Sequence, residues 1–90
     1  MANENVTVLR ADGTREEVPY PEKLSDWQKL VGGYIEVVRL GQDGCVIVNE
    51  EGLIRGLPYN TAASVIARRD LVGDVVLVEG LAFQRWNQEG

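Results

Sequence analysis

Few side chains in this sequence could support catalysis, and their types and spacing argue against it. The 90 residues include no histidine and one cysteine, Cys45, which excludes imidazole-dependent nucleophiles, zinc sites of imidazole and thiolate, and an intrachain disulfide. Cys45 opens an apolar run, where a thiol usually behaves as a small buried hydrophobe. The carboxylates of Glu50 and Glu51 are adjacent, so they cannot face one bond from opposite sides, and they lack the spacing of a calcium loop. We therefore predict no enzyme, no metal site and no cofactor.

The charge of the chain limits the partners that it can bind. Fourteen acidic residues outnumber nine basic ones, which gives a formal net charge of −5. Nonspecific binding to nucleic acid depends on neutralising phosphates, so we expect no nucleic-acid partner, with Arg55 and the Arg68–Arg69 pair as local exceptions. An acidic surface could serve a basic protein partner or simply keep the protein in solution.

The apolar segments of the chain are short. No run is long enough for a transmembrane helix, and the first six residues lack the basic region and apolar core of a signal peptide. We expect no membrane association and a cytoplasmic location.

The first half of the sequence predicts two strands, a helix and a third strand. Residues 5–10 alternate and are rich in β-branched side chains, Asp12-Gly13 forms a hairpin turn, and residues 15–18 return as an edge strand. Residues 22–31 carry one apolar helical face and end at Gly32-Gly33, since glycine takes the left-handed conformation at low steric cost. Residues 34–40 then read as a strand with Ile35 and Val37 on one face.

The second half predicts a central strand, a short helix and a closing strand. Residues 45–48 are continuously apolar, as in a strand that is covered on both faces, and residues 53–55 read as a short returning strand. Asn60 is a suitable N-cap for a helix over 61–69. Residues 74–79 form the last strand. Residues 81–86 serve either as a final extension or as an exposed aromatic contact, and residues 87–90 form a loose tail.

These elements predict a single α+β domain over residues 1–90, with a small, mainly antiparallel sheet of five or six strands and two short helices. A chain of this length buries only a modest core. Trp27, Phe83 and Trp86 exceed what such a core covers easily, so we expect a homo-oligomer, a dimer or higher.

Three segments occur in an order that is typical of one family. They read L-x-x-W-Q-K-L-V-G-G-Y-I-E-V-V, V-N-E-E-G-L-I-x-G-L-P-x-N and L-V-G-D-V-V-L-V, and together they span about Leu24 to Val78. This combination resembles a domain family of unknown function that is common in bacteriophages, prophages, plasmids and their bacterial hosts. The resemblance implies no enzymatic activity. It implies the cytoplasm of the host cell as the location.

The resemblance also directs attention to polar side chains near the signature segments. If the hairpin and the loop over 56–60 converge, the tyrosines could stack on a base, the asparagines could read its edge and an arginine could hold a phosphate. Each residue also has a structural explanation: a turn, a helix cap, packing or an ion pair. The candidate ligand-binding residues are Tyr34, Glu36, Asn49, Arg55, Tyr59, Asn60 and Arg68.

Two functional hypotheses follow from the resemblance and from elimination. The leading hypothesis is a non-enzymatic phage-type binding protein, an anti-defence sponge that sequesters a cyclic or modified nucleotide signal. The alternative is a protein–protein inhibitor of a host factor that uses its acidic face and its C-terminal aromatic residues.

Overall fold

The computed structural model describes residues 4–89 and contains five strands and three helices. In chain order these are β1 (Val6–Leu9), β2 (Arg15–Val18), α1 (Leu24–Val31), β3 (Ile35–Arg39), β4 (Gly44–Asn49), α2 (Thr61–Ala67), β5 (Val75–Glu79) and α3 (Gly80–Glu89). The α+β class and the small antiparallel sheet predicted from the sequence are confirmed.

The five strands form one antiparallel sheet in the order β2-β1-β5-β4-β3. The first and last strands in the chain, β1 and β5, are neighbours in the middle of the sheet, with Val8 opposite Val76. Strands β2 and β3 are the two edges. The predicted central strand is β4, which pairs with β3 on one side and β5 on the other, and all six of its residues are buried.

Helices cover both faces of the sheet because the inner strands carry apolar side chains on alternate faces. One face packs against α1 and α3, and its cluster includes Val8, Trp27, Cys45, Ile47 and Phe83. The other face packs against α2 and the segment before β5. Its core contains Leu9, Val38, Val46, Val48, Ala63, Leu71, Val75 and Leu77.

Local sequence signals set the end of α1 and the start of α2 as predicted, whereas α2 ends at Ala67 and not at the predicted residue 69. Gly32 ends α1 in the left-handed conformation at φ 80°, and its N–H donates to the carbonyl of Gln28. Asn60 caps α2 through its side-chain oxygen, which accepts from the N–H of Ala63. The helix ends at Ala67, because Arg68 takes the left-handed conformation at φ 56°.

A third helix corrects the prediction of two, and it changes the meaning of the C-terminal aromatic residues. Helix α3 runs through Glu89, so residues 87–89 are helical where a loose tail was predicted, and Gly90 lies outside the described residues. Phe83 is buried on the sheet, and Trp86 packs edge-on against Trp27 with ring centroids 5.2 Å apart. Phe83 and the half-buried Trp86 therefore pack on the core, so of the two predicted alternatives for residues 81–86 the aromatic side chains follow the packed one.

Residues 53–55 are the second correction, since they lie in a turn and not in a returning strand. The turn covers residues 50–56 and is called the 50–56 turn below. The N–H of Arg55 donates to the carbonyl of Glu51, and that of Leu57 donates to Gly52, so the backbone bonds within the loop and not with a strand. Among the described residues, no helix has the length and the apolar character that crossing a membrane requires.

Candidate functional site

The seven predicted ligand-binding residues are distributed over several parts of the domain. Asn49 and Asn60 are buried, whereas Tyr34 and Arg55 are exposed. Glu36 and Asn49 line one cavity and Arg68 lines another. These seven residues therefore do not line one shared cavity, and the side chains of Asn49, Arg55, Tyr59 and Asn60 form hydrogen bonds within the fold.

Asn49 and Arg55 converge on the end of α1. The side-chain amide of Asn49 donates to the carbonyl of Val31 at 3.0 Å, and the guanidinium of Arg55 donates to the carbonyl of Gly32 at 2.9 Å. Both bonds satisfy carbonyls that the end of a helix leaves without an intrahelical partner. A Cβ on Gly33 would lie 2.9 Å from the Asn49 amide nitrogen and 3.0 Å from the Arg55 guanidinium, so the second glycine makes room for this arrangement.

Asn60 uses its whole side chain inside the fold. Besides capping α2, its amide donates to the carbonyl of Leu9 at 2.9 Å and to that of Gly73 at 2.8 Å. Only 1% of the residue is exposed. The Asn60 side chain thus connects α2 to the end of β1 and to the segment before β5. These bonds account for an asparagine at the end of the loop over residues 56–60.

The two tyrosines are exposed but lie apart. The hydroxyl of Tyr59 donates to Asp70 at 3.4 Å, and its backbone bridges to Val72. Tyr34 is 66% exposed directly before β3, where its carbonyl accepts from the N–H of Glu50. Neither tyrosine lines the turn cavity or the arginine cavity that are described below.

A cavity of about 250 Å³ lies between the 50–56 turn and residues 69–72, and we call it the turn cavity. Three carboxylates and one guanidinium line it, from Glu36, Glu50, Asp70 and Arg69, beside the apolar side chains of Val48, Leu53, Ile54, Leu71 and Val72. Acidic groups therefore outnumber basic ones three to one in its lining. Within residues 4–89 no three acidic or thiol side chains are grouped closely enough to hold a metal ion.

The most unusual side chains at this cavity are two that sequence reasoning missed. Leu53 is 80% exposed and Ile54 is 88% exposed, at the tip of the 50–56 turn. Their apolar character suggested a strand, whereas the hydrogen bonds of the turn hold them in solvent. The flanking Gly52 and Gly56 are the signal that could have indicated a turn.

A second cavity, of about 430 Å³, lies at the C-terminal ends of β3 and α2, and we call it the arginine cavity. Arg39 and Arg68 line it together with Leu40, Gly41, Ile66 and Ala67. The guanidinium of Arg39 lies over the ring of Phe83, 5.7 Å from its centroid, on the face of the sheet that α1 and α3 cover, so Arg68 is the arginine whose charge the cavity can use. Its lining includes no carboxylate, and in the described part of the chain neither arginine forms an ion pair.

The sole thiol of the chain is placed for packing. Cys45 is fully buried in the face covered by α1 and α3, and burial raises the pKa of its thiol to about 11. A protonated, inaccessible thiol is a poor nucleophile. Cys45 therefore contributes to packing.

Comparison with known proteins identifies a family for nearly the whole chain. Residues 4–84 match the family model DUF3846, which is described as a domain of unknown function. The searches of curated proteins and of solved structures gave no match. The prediction of a family of unknown function is confirmed, and the chain belongs to the DUF3846 family.

Proposed function

We propose that this chain is a non-catalytic binding protein that contacts a basic, partly apolar protein partner through the 50–56 turn and the turn cavity. The observation that carries the proposal is the exposure of Leu53 and Ile54 side by side, 80% and 88%, at the tip of a hydrogen-bonded turn. Burial of one such side chain contributes about 1.5–3 kcal/mol, before the cost of association. The pair is thus a sufficient apolar anchor for an interface.

The backbone of the turn supports this role because little order must be gained on binding. The N–H groups of Gly52, Arg55 and Leu57 donate to Asn49, Glu51 and Gly52 at 2.9–3.1 Å, so the turn is held at both ends. A surface that is already ordered loses less conformational entropy when a partner docks.

The charges around the anchor indicate the chemistry of the partner. Glu36, Glu50 and Asp70 line the turn cavity against the single guanidinium of Arg69, and the whole chain carries a net charge of −5. Complementary charge speeds association and selects among partners, so a protein with lysine or arginine around an apolar recess fits best. The resemblance to phage and mobile-element domains makes a host protein in the bacterial cytoplasm the expected partner.

The test compares a variant of the anchor with a matched exposed site elsewhere. Leu53→Ser/Ile54→Ser removes the anchor, and Val65→Ser removes a 72% exposed apolar side chain from α2. A partner isolated from host lysate on the immobilised chain is purified, and its affinity for each variant is measured by isothermal titration calorimetry. We expect at least tenfold weaker binding for the double variant, unchanged binding for Val65→Ser, and weaker binding at high salt. Equal affinity of the double variant would refute the proposal.

Nucleotide sequestration is a second candidate, and the arginine cavity is the observation that favours it. Among the described residues the guanidinium of Arg68 has no carboxylate partner, so it is available to a phosphate group, which arginine binds in a bidentate manner. Titration with cyclic di- and trinucleotides and with ADP-ribose derivatives tests this candidate. Binding lost in Arg68→Gln and kept in Arg15→Gln, a residue of the exposed edge strand β2, would favour it, and flat traces across the panel would exclude these ligands.

A further inference from the structure

We infer that the free edge of β3 pairs with β3 of a second copy of this chain, which joins two five-stranded sheets into one continuous antiparallel sheet. The evidence is the set of backbone groups that the edge leaves unpaired and the arrangement of its side chains. Both point to one register and to one occupant.

The direction of the backbone groups along β3 follows from its pairing with β4. Tyr34 and Leu40 form hydrogen bonds with Glu50 and Gly44, and residues of an antiparallel strand alternate between bonding one neighbour and facing away from it. Residues 34, 36, 38 and 40 therefore bond with β4. The N–H and C=O groups of Ile35, Val37 and Arg39 point to the open edge.

The open edge is not covered by the helices of the same chain. Val37 is 40% exposed in the middle of β3, and Glu36 and Arg39 of the same strand are also exposed, whereas Val38 is buried. An edge strand with outward N–H and C=O groups and an exposed valine is a template for a further strand.

A two-fold axis that passes beside Val37 gives the register in which the two β3 strands form the most backbone hydrogen bonds. Val37 then lies opposite its own copy, and Ile35 lies opposite Arg39 of the copy, so three pairs form about six hydrogen bonds. Glu36 lies opposite Val38 of the copy. No two like charges oppose each other in this register, whereas a shift of the axis to Glu36 sets two carboxylates against each other and leaves fewer bonds.

The other edge of the sheet is built differently, which makes β3 the specific choice. Strand β2 exposes Arg15, Glu16 and Glu17. The bond from Arg10 N–H to the Thr14 carbonyl places the free backbone groups of this edge on Arg15 and Glu17. A two-fold axis at residue 16 or 17 brings a glutamate opposite its own copy, and such pairs disfavour association.

The partner strand is β3 of a second copy because the edge of β3 is complementary to itself. The pairing covers Val37 with Val37 of the copy, and it closes after two chains because both β3 edges are used. It also adds a specific interface to a domain whose 90 residues form a modest core.

The experiment uses proline at one outward position on each edge. Val37→Pro removes an N–H that β4 does not use, so the monomer keeps its fold while the two-fold pairing is blocked. Glu17→Pro does the same at the edge of β2 and is the matched control. Light scattering after size exclusion, over a wide dilution series, should give twice the chain mass of 10.0 kDa for wild type and Glu17→Pro and a single chain mass for Val37→Pro.

A crosslink provides a readout that does not depend on the proline variant folding. Directly paired residues with bonded backbones have Cα atoms about 5.5 Å apart, which a disulfide can span. Val37→Cys should therefore form a covalent dimer on mild oxidation, while Glu17→Cys should not, and buried Cys45 stays unreactive. A monomeric wild-type chain at every concentration, or a Val37→Cys chain that fails to crosslink, would overturn the inference.

Discussion

Substitution of Asn60 tests whether its side chain stabilises the fold, as its hydrogen bonds indicate, or is kept for a ligand. Its amide group makes three hydrogen bonds inside the fold, to the Ala63 N–H and to the carbonyls of Leu9 and Gly73. Loss of an N-cap costs about 1 kcal/mol, and each buried hydrogen bond contributes about 1 kcal/mol. Asn60→Ala should therefore lower the free energy of unfolding by about 3 kcal/mol, a large part of the roughly 5–15 kcal/mol of a typical domain.

Two further substitutions divide that loss between the cap and the amide donors. Asn60→Ser keeps an N-cap oxygen but removes both donors, so about 2 kcal/mol should be lost. Asn60→Asp keeps an equally good cap oxygen but directs a carboxylate at two carbonyls, so its loss should exceed that of serine even though aspartate caps helices well.

The assay is urea unfolding followed by tryptophan fluorescence at one protein concentration, with Trp27 as a buried reporter. The midpoints should fall in the order wild type, serine, then alanine and aspartate, with an unchanged dependence on urea. A free energy of unfolding for Asn60→Ala within about 1 kcal/mol of the wild-type value would refute the structural assignment, because three bonds of this kind cannot be lost at so little cost.

Three other predictions concern the C-terminal helix and the thiol. Trp86→Ala should cost about 2 kcal/mol, less than the ~3–5 for a fully buried aromatic ring, and should weaken the near-ultraviolet circular dichroism, because the indole packs edge-on against Trp27. Cys45 should not react with a thiol reagent in the native protein near neutral pH, because it is buried and burial raises its pKa to about 11. It should react fully in urea. Rapid labelling of the native protein would contradict its position in the core. The hydrogen bond from Arg85 lowers the pKa of Glu89 below its ordinary value of 4.5, so the stabilisation is present above that value and is lost as the pH falls through the lowered pKa. Glu89→Gln should therefore be less stable than wild type at neutral pH and equal to it in strong acid; a difference that persists in acid would show another origin.

Local chemistry predicted the parts of the fold that depend on near neighbours in sequence. The continuous apolar run of β4 identified a strand that is covered on both faces. The Gly32 stop and the Asn60 cap were predictable because each depends on the conformation or side chain of a single residue.

The elements that were missed depend on contacts made across the fold. Helix α3 begins at Gly80 directly after β5, and its course is set by Phe83 and Trp86 packing on the face that α1 also covers. Phe83 and Trp86 are three positions apart, which is compatible with a helix. A single interval of this kind does not distinguish a helix from an extended segment. Leu53 and Ile54 suggested a strand because their side chains are apolar. The turn is fixed by backbone hydrogen bonds, which those side chains do not indicate.

The local contacts of the candidate site residues could not be predicted from the sequence, because polar side chains bond with the backbone as readily as with a ligand. The buried amides of Asn49 and Asn60 are fully engaged with main-chain groups, and the guanidinium of Arg55 binds the end of α1. Residue type alone does not separate these roles, since the same amide that reads a base edge also caps a helix.

The strand order has a consequence for how the domain is made. Val6–Leu9 leaves the ribosome before the other four strands of the sheet, yet one of its two neighbours is Val75–Glu79, the last of the five to be translated. Until that segment emerges, the nascent chain can form only the two hairpins at the outer edges, with the space between them unfilled. Closure of a sheet through such distant contacts is slow and leaves apolar strands unprotected in the meantime. Shortening the chain from its C-terminal side should therefore cause aggregation rather than a smaller folded domain.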